Sequence, residues 1–121
     1  MAILACYRPP HSDNEKEFIA YLDENVRNLD RESNEVVIIG DLNFDQFDEV
    51  MGKPLRDFST SHGFVNTIKK GTRFNSITFA WTLLDVILCY CLDLFIKSEV
   101  FRYPDSDHAL TISIFKHNTL Q

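Results

Sequence analysis

The sequence contains a run of four β-branched residues, 36–39, that ends at Gly40. A continuous apolar run of this kind predicts a strand that is buried on both faces of a sheet. Residues 83–92 are also almost uninterruptedly apolar, and Asp85 is the main exception. We expect a second doubly covered strand there, over residues 82–92. Two such strands require a sheet with a layer of structure on each side.

Two segments have helical patterns. In residues 13–32, apolar side chains recur at the spacing of an amphipathic helix. Residues 53–62 predict a shorter helix, because Pro54 suits its first turn and Gly63 suits the position after its last. These helices can cover one face of a sheet, and little sequence remains to cover the other. Further strands are expected over residues 2–7, 64–68, 76–80, 95–101 and 109–115.

The pattern predicts the α+β fold class, with one mostly antiparallel sheet and helices on one face. The chain of 121 residues has the length of one domain, residues 1–121. Its net charge is −6, so affinity for a polyanion has to be local or depend on a metal. The longest uncharged stretch, residues 74–84, is much shorter than the roughly 20 residues of a membrane span. With no signal-peptide pattern at the N-terminus, we expect an intracellular domain with no membrane partner.

Polar residues lie where predicted strands begin or end. Asp41 and Asn43 follow the β-branched run directly, and Asp107 and His108 directly precede the last strand. Strand ends are positions where a rigid scaffold holds a site. Asp85 lies inside an apolar strand, where a carboxylate is costly unless it is paired, and His108 is the natural partner. We expect these five side chains to converge at one edge of the sheet.

Each of these segments also has a simpler interpretation. Aspartate and asparagine after a strand commonly form turns, because their side chains bond the nearby backbone. Residues 105–107 fit a solvated turn as well as an Asp-x-Asp metal site, and His108 alone fits a structural histidine. The basic cluster is either a solvated loop or the place where a nucleic-acid backbone touches this acidic chain. It consists of Lys69, Lys70 and Arg73, with Arg8 beside them.

Five short motifs together resemble one protein family. They are Tyr7-Arg8-Pro9-Pro10, VIIGDLNFD at 37–45, Thr72-Arg73, LLDVIL at 83–88 and SDHALTISI at 106–114. In this order and approximate spacing they resemble the C-terminal half of the endonuclease/exonuclease/phosphatase family, and within it the endonuclease domain of non-LTR retrotransposons. The resemblance implies half of a two-sheet α/β sandwich and a metal-dependent phosphodiester hydrolase.

The resemblance also implies roles for individual residues. Asp41 would bond and help deprotonate the attacking water, and Asn43 would steady the phosphate or the water. His108 would contact the scissile phosphate and be oriented by Asp85. Tyr7 would touch phosphate. Such residue types suit phosphodiester hydrolysis, which needs a placed water, a base and positive charge on the phosphate oxygens.

The metal and the partners follow from the same resemblance. Asp107 would lie at or near a divalent cation, Mg²⁺ or Mn²⁺, and the substrate would be DNA, which implies a nuclear location. In the family, the first half of the domain supplies an asparagine, a metal-binding glutamate and the other sheet. The motifs here match the second half only, so we expect the N-terminal half to be missing. The alternative is a catalytically inactive remnant, an interaction module that binds the missing half or itself through its uncovered sheet face.

Overall fold

The computed structural model describes residues 1–11, 13–33, 35–90 and 92–116. These residues form two α-helices, α1 (Glu15–Asp30) and α2 (Lys53–His62), and a short 3₁₀ helix (Leu92–Leu94). They also form eight strands, which are β1 (Ala2–Ala5), β2 (Val36–Asp41), β3 (Val65–Asn66), β4 (Arg73–Asn75), β5 (Ala80–Thr82), β6 (Asp85–Cys89), β7 (Phe95–Phe101) and β8 (Leu110–Phe115).

The central sheet has the strand order β1-β2-β6-β3. Strand β1 runs parallel to β2, and β6 is antiparallel to both β2 and β3. The two apolar runs of the sequence are direct neighbours in this sheet, with Ile38 opposite Leu88 and both side chains buried. Their placement in one sheet confirms the sequence prediction.

The helices pack against each other and bury apolar side chains in the same core as the central sheet. Leu22 and Val26 are the buried residues of α1, and Leu55 and Phe58 are those of α2. Helix α2 has its proline in the first turn and ends at Gly63, whose φ of 74° lies in the left-handed region. Both helices therefore form where the sequence predicts them.

The fold class is α+β with mostly antiparallel strands, as predicted, but the strands are divided among three sheets. Strands β4 and β5 form one hairpin and β7 and β8 form another. The strand expected over residues 76–80 is wrong, because residues 76–79 form the turn of the first hairpin. Asn75 Oδ1 accepts the N–H groups of Ile77 and Thr78, and this local bonding favours a turn over a strand.

The strand expected over residues 82–92 is also divided. Strand β5 ends at Thr82, and β6 begins at Asp85 in another sheet. The N–H groups of Leu84 and Asp85 both donate to Thr72 Oγ1, at 3.0 Å each. The Thr72 hydroxyl therefore accepts two N–H groups that have no partner strand at the point where the chain passes from one sheet to the next.

The β7–β8 hairpin is joined to the central sheet by hydroxyl groups. Thr67 Oγ1 lies 2.7 Å from Ser113 Oγ, and Ser98 Oγ donates to the Thr67 carbonyl at 2.6 Å. The opposite face of the hairpin carries exposed apolar side chains, which are Phe101, Leu110, Ile112 and Ile114. None of the described helices is long and apolar enough to cross a membrane.

Gly40 allows a close backbone approach between the ends of β1 and β2. Its φ is 148°, and a Cβ at this position would lie 1.7 Å from the Cys6 carbonyl oxygen. Neither the backbone conformation nor the space permits a side chain. The glycine therefore lets the extension of β1 lie against the end of β2, immediately before Asp41.

We predict that Gly40→Ala lowers the free energy of unfolding by more than about 3 kcal/mol, because a methyl group would overlap main-chain atoms. Gly63→Ala is the matched control. It also places alanine at a positive φ, but nothing lies within 4 Å of its Cβ, so it should cost only about 1–2 kcal/mol. Urea unfolding of both variants measures the difference, and equal costs would contradict the close approach at Gly40.

Candidate active site

Two carboxylates face each other at one edge of the central sheet. Asp41 is the last residue of β2 and Asp85 is the first residue of β6, and the register pairs them directly. Their side chains are only 18% and 19% exposed. Two acidic groups this close and this buried repel each other unless a cation or a proton lies between them.

His108 is the third member of the group. Its Nδ1 lies 2.9 Å from Asp85 Oδ2, and its Nε2 lies 3.7 Å from Asp41 Oδ2. The hydrogen bond to Asp85 that the sequence predicts is therefore present. A carboxylate can only accept, so this bond places a proton on Nδ1 and directs Nε2 to the Asp41 side.

The backbone brings His108 to this edge. Residues Arg73 and His108 form an isolated antiparallel bridge, and the Ala109 N–H donates to the Thr72 carbonyl at 2.7 Å. Thr72 also accepts the Asp85 N–H, so one buried residue ties both partners of the Asp85–His108 pair. The sequence pattern included Thr72 in a motif but gave it no role, because a buried hydroxyl has no periodic signal.

The surroundings of Asp41 raise the pKa of its carboxyl group. Burial raises the pKa of its carboxyl group, and the negative charge of Asp85 raises it further. His108 and the N–H of Asn43, which donates to Asp41 Oδ1 at 3.2 Å, act in the opposite direction. The net effect makes Asp41 a better proton acceptor than an ordinary surface aspartate, as a general base requires.

Asn43 lies in the turn that follows Asp41. Its φ is 54°, and its Nδ2 donates to the Arg8 carbonyl at 2.6 Å. The strand-end turn that aspartate and asparagine favour is therefore present, because the Asp41 carboxylate accepts the N–H of Asn43, two residues further along the chain. The same turn holds Asn43 beside the Asp41 carboxylate.

Arg8 does not lie where the sequence-based assignment placed it. Its side chain is buried, with 4% of the residue exposed, and its Nε and Nη2 donate to the carbonyls of Leu42 and Asn43 at 2.8 Å each. The guanidinium also lies 4.0 Å from the centre of the Phe44 ring. The assignment of Arg8 as a nucleic-acid contact is corrected, since this cation bonds the protein's own turn.

Asp107 is exposed and paired with Arg73. Its Oδ2 lies 3.2 Å from Arg73 Nε, and this hydrogen bond is the main reason why the pKa of Asp107 is lowered. Its main-chain carbonyl accepts the Phe74 N–H. The sequence assigned Asp107 to the metal and Arg73 to nucleic acid, whereas the structure bonds them to each other at the mouth of the site.

The remaining predicted contacts are on the surface. Tyr7 is 61% exposed and lies between two main-chain bonds to β2, from Cys6 N to Ile39 O and from Arg8 N to Asp41 O. It therefore extends from the same sheet edge as Asp41. Lys69 and Lys70 are exposed in the loop before Thr72.

A divalent cation fits the central group. Asp41, Asp85 and His108 each offer one ligand atom, and all three atoms lie within 4.8 Å of one another. Carboxylate oxygens suit Mg²⁺ and Mn²⁺, and an imidazole nitrogen also suits transition metals. The repulsion between the carboxylates would be relieved by such an ion. Asp107 is not one of these three donors.

A cavity of about 340 Å³ opens beside His108. The β4–β5 hairpin contributes Phe74 and Trp81, whose rings stack with centroids 5.2 Å apart. The Arg102 guanidinium lies over both rings, 5.2 Å from the first and 5.8 Å from the second. This wall offers aromatic faces and a cation next to the acidic group, a combination that suits stacking of bases near phosphate.

We predict that Asp41→Asn stabilises the protein at pH 7. A raised pKa means that ionised Asp41 disfavours the folded state, so its stability contribution is present below the ordinary value of 3.8 and is lost as pH rises through the folded value. The melting-temperature gain from the substitution should therefore shrink as pH falls towards 3.8. Asp93→Asn, at an exposed aspartate of the 3₁₀ helix, is the control. A gain that is absent at pH 7, or that grows on acidification, would contradict the assigned environment.

No family model matches the chain, and no curated protein matches it. Solved structures do. The endonuclease domain of TRAS1, a telomere-specific non-LTR retrotransposon, aligns with a TM-score of 0.73 at 16% identity, over 93% of this chain and 56% of that one. A 3'-5' exonuclease from Neisseria meningitidis aligns with a TM-score of 0.71 at 16% identity, over 90% and 56%.

A phosphatase also aligns with the chain. The mannosyl-6-phosphatase of Bacteroides thetaiotaomicron aligns with a TM-score of 0.64 at 16% identity, over 93% of this chain and 51% of that one. The chain thus spans about half the length of the structures it matches. The resemblance found in the sequence motifs is confirmed at the level of the fold. The chain has the fold of about half of an endonuclease/exonuclease/phosphatase domain.

Proposed function

We propose that the chain is the C-terminal half of a metal-dependent phosphodiesterase domain that nicks DNA. The observation that carries the proposal is the group formed by Asp41, Asp85 and His108 at one sheet edge, with 2.9 Å between the last two side chains. A base, an oriented imidazole and a place for a divalent cation are the parts that phosphodiester hydrolysis needs. The fold likeness to a retrotransposon endonuclease and an exonuclease supports the same reaction class.

The residues would divide the chemistry as follows. Asp41 takes a proton from the attacking water, helped by its raised pKa. Asp85 holds the His108 ring so that Nε2, when protonated, donates to a phosphate oxygen. Asn43 orients the water through its amide oxygen, and Tyr7 contacts the phosphate from the surface. A bound Mg²⁺ or Mn²⁺ would supply positive charge to the non-bridging oxygens.

A nucleic-acid substrate is favoured over a small phosphoester by the surroundings of the site. The aromatic wall of Phe74 and Trp81 and the Arg102 guanidinium border the cavity beside His108. Lys69 and Lys70 are exposed in the adjoining loop. On a chain of net charge −6, this local concentration of cations and rings is where a strand of DNA would be met.

A second candidate function is a module that only binds another polypeptide. The exposed apolar side chains on one face of the β7–β8 hairpin favour it, because exposed apolar surface commonly marks an interface. The matched structures are about twice as long as this chain, so a second layer of the same domain is the partner we propose for this face. A partner that binds without restoring cleavage would support this candidate over the enzyme.

We predict that the chain alone nicks supercoiled plasmid in Mg²⁺ no faster than its His108→Ala variant. Mixed with the part of the TRAS1 endonuclease domain that it does not cover, the parent should nick at least about 100-fold faster than the variant, the usual range for losing an acid or base. His62→Ala is the matched control, because His62 forms an equivalent pair with Asp23, 2.7 Å apart, between the helices. It should leave the nicking rate within about twofold.

Three results would overturn parts of this proposal. Equal nicking by the parent and His108→Ala mixtures would exclude the enzyme function. Robust nicking by the chain alone, lost in His108→Ala, would instead show that the chain needs no second half. Binding of the added polypeptide without any nicking would leave the binding module as the function.

A further inference from the structure

Arg8 is a buried cation, and its surroundings explain why it is tolerated. Burial lowers the pKa of its guanidinium, as expected for a cation removed from water. Two hydrogen bonds of 2.8 Å to main-chain carbonyls and the face of the Phe44 ring at 4.0 Å offset the cost of burying the charge. A buried charge bonded in this way restrains the groups around it, because movement of either carbonyl breaks a hydrogen bond to the cation.

The groups that Arg8 fixes belong to the turn that carries Asp41 and Asn43. Asn43 has a φ of 54°, a conformation that few residues other than glycine adopt. The turn directs the carbonyls of Leu42 and Asn43 away from the sheet ladder, and the Arg8 side chain donates a hydrogen bond to each of them. A planar guanidinium matches two neighbouring acceptors in this way, and an ammonium group does not.

The main chain of Arg8 completes the connection. Its N–H donates to the Asp41 carbonyl at 2.9 Å, and its own carbonyl accepts the Asn43 amide at 2.6 Å. The side chain and main chain of Arg8 together therefore bond three consecutive residues, 41–43. Of these three, Asp41 has its side chain in the candidate site, and the Asn43 N–H bonds that carboxylate.

We infer that Arg8 is a positioning residue for the site: it holds the 41–43 turn so that the Asp41 side chain keeps its direction towards His108. It does so without contacting substrate. That Arg8 holds the turn rests on the contacts described above, whereas an effect of Arg8 on cleavage rests also on the proposed function. The two claims can be tested separately.

The test compares Arg8→Lys with Arg27→Lys in the full chain. Lysine retains the charge at position 8 but lacks the two coplanar donors, Nε and Nη2, that bond the two carbonyls. Arg27 is an exposed residue of α1 paired with Asp23. Amide hydrogen exchange is measured at Leu42, whose N–H donates to the Leu84 carbonyl beside the turn, and at Ile38 in the buried strand. Nicking is measured with the TRAS1 segment added.

Arg8→Lys should speed exchange at Leu42 at least tenfold and leave exchange at Ile38 within about twofold. Turnover should fall at least tenfold with KM within about threefold, since positioning affects the transition state more than binding. Arg27→Lys should change none of these quantities. If Arg8→Lys proves too unstable to purify, Phe44→Leu, which removes the ring below the guanidinium, should show the same local pattern to a smaller extent.

Unchanged exchange at Leu42 in a folded Arg8→Lys or Phe44→Leu protein would overturn the inference, whether or not the parent nicks DNA. Equal acceleration at Leu42 and Ile38 would also overturn it, because Arg8 would then only stabilise the fold. A parent that does not nick would count against the proposed function, and exchange at Leu42 would still decide whether Arg8 holds the turn.

Discussion

The pairing of β2 with β6 places two carboxylates opposite each other, and the candidate site depends on that register. Asp41 and Asp85 are cross-strand partners, so their repulsion is built into the sheet. His108 relieves part of it through its bond to Asp85 and its approach to Asp41. A shift of one residue would turn Asp85 to the other face of the sheet and separate the three side chains.

Two buried residues from outside this pair of strands bond the segments that carry the site. Thr72 bonds the start of β6 and the segment of His108, and Arg8 bonds the turn after β2. Each connects distant parts of the sequence, and each is almost completely inaccessible to solvent. The reactive groups lie at the surface of this support, where a substrate can reach them.

The sequence predicted the parts of this arrangement that depend on local patterns. The apolar runs marked β2 and β6, helical spacing marked α1, and the cost of burying Asp85 pointed to His108. It did not predict that Asn75 closes a hairpin or that the chain changes sheets at residues 83–84. A long apolar stretch does not indicate where one strand ends and the next begins. The sequence also did not predict that Arg8 is buried against the turn or that Asp107 pairs with Arg73, since charge alone does not tell a buried cation or a paired carboxylate from a free one.

The central claim is that a divalent cation binds at the Asp41 and Asp85 carboxylates beside His108 and that Asp107 is outside this site. Titration of the chain with Mn²⁺, followed by calorimetry or by paramagnetic broadening of amide signals, tests this claim most directly. Asp85→Asn should weaken Mn²⁺ binding at least tenfold, as loss of a ligand usually does, and Asp107→Asn should leave it within about twofold. Weaker Mn²⁺ binding in Asp107→Asn than in Asp85→Asn would contradict the account and would support Asp107 as the metal ligand, as the sequence resemblance implies.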